Sequence, residues 1–76
     1  MSVVLFVFTV EAPRAVHVSI FELCVSEGVI PDHVRVLTER MVEFVFVGRE
    51  RAEEVLAFFD ITTSFTDRVI VERVEL

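Results

Sequence analysis

Few side chains in this chain are equipped for chemistry, and their spacing limits what each can do. His17 and His33 stand sixteen residues apart, with no His-x-x-x-His or Cys-x-x-Cys spacing, so no metal centre is expected. His17 and Cys24 are seven apart. On a helix that is two turns, roughly 10 Å along the axis, too far for an imidazole to activate the thiol directly. Glu50, Glu53 and Glu54 read as a solvated face near a helix start, where the dipole favours negative charge. Thr62-Thr63-Ser64 lacks the glycine of a phosphate-cradling loop and reads as an ordinary loop. Glu11 and Arg14 remain. They bracket Ala12-Pro13 where an apolar run gives way to helical spacing, and the free N–H groups of a helix start attract anions. A guanidinium there pairs well with a carboxylate. The plainer alternative is a surface salt bridge, worth little.

The elements that must position this joint follow from the patterning. Val3 to Val10 is β-branched and aromatic on both alternations, as suits a strand buried on both faces. Pro13 to about Glu27 is helical, with Val16, Ile20, Leu23 and Cys24 on one face and His17 and Phe21 flanking it. Val18 and Val25 fall on the outward side. Pro13 suits the first helical turn, and Gly28 supplies the C-cap. Val34 to Glu39 predicts an edge strand, Arg40-Met41 a hairpin turn, and Val42 to Val47 a second central strand. Arg49 to Phe59 predicts a helix with Ala52, Val55, Leu56 and Phe59 inward, Asp60 to Ser64 a loop, and Arg68 to Val74 the last strand. The order is βαββαβ. Two right-handed crossovers then give a ferredoxin-like α+β sandwich: a four-stranded antiparallel sheet with two helices on one face. Residues 1–76 read as one domain.

Composition narrows the function classes. The chain has 76 residues, of which 54% are hydrophobic and eight are Phe, more than a small core easily hides. With both helices on one side, the other side of the sheet presents water with either phenylalanines or a row of valines and a leucine. Such exposure marks an interface, so a homo-oligomer is expected, a dimer first of all. The net charge is −6 and the seven basic residues, all Arg, are scattered; nucleic acid and anionic membrane surfaces are not expected partners. The apolar run at the start is too short to span a bilayer and lacks a basic flank, and a single Cys24 implies a reduced thiol. A cytoplasmic protein is expected. Absence of Asn and Gln beside abundant Glu and Arg suits either a thermophilic source or a GC-rich genome.

Element order and lengths over nearly the whole chain resemble those of the ACT domain, a small-molecule-sensing module often fused to enzymes of amino-acid metabolism. ACT domains commonly carry Asp-x-Pro-Gly-x-Leu after the first strand. Glu11 stands where that Asp would, Pro13 matches, and Val16 matches the Leu; Leu23 and Gly28 resemble the end of the family's first helix. The resemblance implies that Glu11, Ala12, Pro13, Arg14, Ala15 and Val16 form a ligand site, and that an amino acid binds between subunits. Arg14 departs from the pattern, occupying the place of the Gly that lets the backbone approach the ligand. It either blocks such a site or contributes its guanidinium to it.

The expectation is a non-catalytic regulatory module, with no cofactor and no catalytic residue, that binds an amino acid or similar metabolite. Two others stand beside it: an assembly subunit with no small ligand, using Val18 and Val25 to dock a neighbour, and a small dimeric enzyme, for which His17 is the one inward polar candidate.

Overall fold

The alternation of Val4, Phe6, Phe8 and Val10 with Leu5, Val7 and Thr9 gives β1 two apolar faces, and the structure resolves which of them is covered. In this computed structural model residues 3–76 are described; Met1 and Ser2 of the expected 1–76 domain lie outside the described residues. The elements are β1 (Val4–Glu11), α1 (Arg14–Ser26), β2 (His33–Val36), β3 (Met41–Val47), α2 (Ala52–Thr62), a 3-10 turn (Thr63–Phe65) and β4 (Arg68–Glu75). The protein is α+β, with one four-stranded sheet in the order β2-β3-β1-β4, antiparallel throughout. The two strands without a polar face, β1 and β3, are the inner ones, each flanked by a strand on either edge.

The phenylalanine set faces inward. Phe6 pairs with Phe46 and Phe8 with Phe44 across β1 and β3, and all four are buried. Phe59 of α2 stacks on Phe8 at 4.2 Å between ring centroids, nearly parallel at 12°, and meets Phe46 edge-on at 5.7 Å. Offset stacks and edge-on contacts of this kind add to plain burial. Ile20 and Cys24 of α1 and Val55 and Phe59 of α2 join the same core cluster as these strand residues. The opposite face carries Leu5, Val7 and Val45, half-buried, and Val47, exposed.

The joints explain where elements stop. Pro13 is the N-cap of α1, one residue outside the helix, with extended ψ; its carbonyl accepts from the Val16 and His17 N–H groups. At the other end Gly28 takes φ +73. Its N–H reaches Val25 O and the Val29 N–H reaches Cys24 O, the paired bonds of a Schellman motif. Gly48 takes φ +114, and a Cβ there would stand 2.7 Å from a Glu50 carboxylate oxygen. The positive φ favours glycine there, whereas the Glu50 side chain could swing aside.

Several boundaries differ from the expected ones. β2 covers His33–Val36 and not 34–39, because Thr38 makes the turn: its Oγ1 accepts from the N–H groups of Arg40 and Met41. The segment expected as a loop from Asp60 continues α2 to Thr62 and then tightens into the 3-10 turn. The hydroxyls of Thr62, Thr63 and Ser64 donate to the carbonyls three residues back, and no glycine or proline interrupts them. α2 begins at Ala52, three residues later than expected, after the turn around Gly48. Leu23 and Leu56, expected inward, are exposed. The inner faces are narrower than the apolar stripes: on α1 only His17, Ile20 and Cys24, and on α2 only Val55, Phe59 and Thr62, are buried.

Candidate functional site

A hollow of about 210 Å³ lies between the first helix and the edge strand β2, over β3. Val42 and Phe44 of β3 form its floor. Val18 and Phe21 of α1 make one wall, and Val34 and Val36 of β2 the other. These wall residues are all among the exposed large hydrophobics, so the hollow is an apolar surface open to solvent. β2 pairs with β3 in a register that sets Val34 beside Phe44 and Val36 beside Val42, which turns both valines to the helical side.

Two charged residues of opposite sign line this hollow: Arg14 in the first turn of α1, and Glu39 in the turn between β2 and β3. Neither makes an ion pair among the described residues. His17 also lines it and is otherwise buried; its Nε2–H donates to the Val10 carbonyl at 3.0 Å. That bond ties the joint to the end of β1.

The joint residues separate in space. Of Glu11, Ala12, Pro13, Arg14, Ala15 and Val16, Arg14 alone lines the hollow. Glu11 ends β1 beside Arg68 of β4, with 3.5 Å between its Oε1 and the Arg68 Nε. Ala12 is fully buried, its N–H bonded to Arg40 O; Pro13 and Ala15 are exposed; Val16 packs against the core. Glu11 and Arg14 therefore do not flank one ligand position: strand alternation sends Glu11 to the face opposite the helices. Glu39 is the carboxylate that shares the hollow with Arg14. The sequence set Glu39 at the end of a strand and carried no signal that it shares a hollow with Arg14; of the two outward valines of α1, Val18 and Val25, the first lines that hollow.

A second polar cluster holds the far end of the sheet. The Asp32 carboxylate accepts the Val47 N–H at 2.7 Å and pairs with Arg51. Arg51 also donates to Ile30 O at 2.9 Å and lies 5.5 Å over the Phe46 ring. It stitches the α1–β2 loop to the start of α2 and offers no open position for a reactant. Among the described residues no group of three or more His, Cys, Asp or Glu side chains gathers to hold a metal. Cys24 is fully buried, and burial pushes its thiol up to about 11, away from nucleophilic use. Among the described residues no helix is long and apolar enough to cross a membrane.

No protein-family model matches the chain, and no curated protein or solved structure matches it either.

Proposed function

We propose that this chain is an ACT-like regulatory module of ferredoxin-like fold, a cytoplasmic homo-oligomer that takes an amino acid or similar small metabolite in the α1–β2 hollow. The observation that carries the reading is the pairing of Arg14 and Glu39, opposite in charge and without ion-pair partners among the described residues, around an apolar hollow of about 210 Å³. A zwitterion with an apolar side chain fits that distribution. Its carboxylate takes Arg14, its ammonium takes Glu39, and its side chain covers Val18, Phe21, Val34 and Val36. The strand order, with β1 and β3 inside, is also the order that two right-handed crossovers generate.

Ligand binding acts here by closing α1 onto β2. A metabolite that bridges Arg14 and Glu39 favours the closed arrangement of α1 and β2, and shifts that equilibrium only by its differential affinity for the two states. In this reading Arg14 replaces the glycine of the ACT pattern as a contact.

A thermal-shift screen against the common amino acids, with mass followed by light scattering, tests this reading. An apolar amino acid is expected to raise the melting temperature of the wild type and to lose that effect in Arg14→Gly. No response to any of them, or a response that Arg14→Gly strengthens, contradicts it. The second reading, an assembly subunit without a small ligand, draws on Val18 and Val25, 53% and 50% exposed on the outward side of α1. Absence of any ligand response alongside a tight oligomer favours that reading.

A further inference from the structure

β4 is an edge strand of eight residues, long for an exposed edge. The Leu76 N–H donates to Val3 O, so with a period of two the even-numbered residues of β4 bond to β1, and Val69, Val71 and Arg73 turn N–H and C=O to the outer edge. Ile70 and Val71 are exposed on opposite sides of the sheet. On the helical side an open hollow of about 430 Å³ lies between Val69 and Val71 and the exposed Leu56 of α2. An apolar strip thus runs along the helical side of an unpaired edge, and on the open side the exposed Ile70 stands between Arg68 and Glu72.

The charges at this edge follow a pattern. From residue 67 the chain reads Asp67-Arg68-Val69-Ile70-Val71-Glu72-Arg73. About Ile70 it is a palindrome in hydropathy and an inverted one in charge. Laid antiparallel against itself, centred on Ile70, it sets Arg68 opposite Glu72 twice and Ile70 opposite Ile70 on the open face. On the helical face it sets Val69 opposite Val71 twice, and Asp67 falls opposite Arg73 just beyond. Val69 and Val71 are then the hydrogen-bonded pairs, which the outward direction of their backbone groups requires, and Ile70 meets its copy in the closer non-hydrogen-bonded pair. The neighbouring registers fail. Centring on Glu72 or Arg73 sets like charges face to face, and centring on Val71 sets Ile70 against Glu72. The other edge is a poorer candidate: β2 has four residues, and centring it on Arg35 opposes two arginines.

We propose that two copies of this chain join through β4, antiparallel about a two-fold axis at Ile70, to form one continuous eight-stranded sheet. Glu72 makes no ion pair among the described residues, and Arg68 is mostly exposed with donors to spare beyond its Glu11 contact. Leu56 and Val71 of the two copies meet on the helical side of the seam. The charges that would blunt a solitary edge here select one register of self-pairing. The inference does not rest on the ligand reading, since the α1–β2 hollow lies at the other edge of the sheet.

Sedimentation equilibrium on the full chain tests it. The wild type is expected to be a dimer. Glu72→Arg places Arg opposite Arg68, and Arg68→Glu places Glu opposite Glu72; each raises the dimer dissociation constant about ten-fold or more. Mixed one to one, the two variants restore both opposite-charge pairs and associate as a heterodimer, which also shows that each has folded. Val71→Pro, which removes an outward N–H and no bond to β1, also yields a monomer. A wild type that stays monomeric overturns the proposal. So does a dimer that withstands the substitutions, which would set the contact on the open sheet face, and so does a mixture no more associated than its components.

Discussion

The His17 Nε2–H donates to the Val10 carbonyl at 3.0 Å, from the second turn of α1 to the last buried residue of β1. This bond ties the first helix to the strand that precedes it, beside the α1–β2 hollow that His17 lines. His17→Leu nearly keeps the volume and loses the donor, leaving the buried Val10 carbonyl one donor short. A loss of about 1–2 kcal/mol is expected, read as a lower urea midpoint at unchanged slope. An unchanged midpoint would show that the bond contributes nothing.

Phe59 touches Phe8, Phe44, Phe46 and Phe58, and so joins α2 to both inner strands. Phe59→Ala removes the centre of that cluster. It is expected to destabilise by about 3–5 kcal/mol, enough to unfold much of so small a domain. Phe65→Ala, at an exposed position, changes stability by about 0.5 kcal/mol or less. Denaturation followed by circular dichroism compares the two, and similar losses would contradict the placement of Phe59.

The contrast between these two phenylalanines marks what could be read from the chain. The strand assignments of β1 and β3 were legible because both alternations are apolar. For the same reason their inward face was not, and Phe59 decides it from a distant segment. Gly28 announced the end of α1. Thr38 did not announce the turn it makes, since a side chain bonding two backbone N–H groups leaves no pattern in hydropathy. The joint was correctly placed as a joint, but strand alternation sends Glu11 away from Arg14, and Glu39 enters the hollow only through the β2–β3 turn. Such pairings depend on the path of the chain, and periodicity carries no record of them.

Asp32 and Arg51 lie nineteen residues apart and close the end of the sheet away from the joint. Both are partly solvated, so Asp32→Ala is expected to remove about 1 kcal/mol, mainly from the unpaired Val47 N–H. Hydrogen exchange at Val47 should accelerate well beyond the few-fold rise at Phe8 that the global loss brings. Uniform acceleration would mean that the cluster supports the whole fold and not its end.

The Cys24 thiol ionises near 9.0 when unfolded and at about 11 in the fold, because burial disfavours the thiolate. Between those values the unfolded chain has released a proton that the folded chain keeps. The contribution is fully present below 9.0 and is lost as pH rises through the folded value. With no lysine or tyrosine present, little else titrates there. The urea midpoint is expected to fall across this window in the wild type and to stay nearly flat in Cys24→Ala. Parallel curves would contradict the assignment.

The central claim is that Arg14 and Glu39 hold a zwitterionic metabolite across the α1–β2 hollow. The most direct measurement is a backbone amide NMR titration with leucine, valine and phenylalanine in turn. Saturable shifts are expected at Arg14, Val18, Val36 and Glu39, and both Arg14→Gly and Glu39→Gln should abolish them. Spectra that stay unchanged at millimolar ligand, or shifts that gather elsewhere and survive both substitutions, would contradict the account.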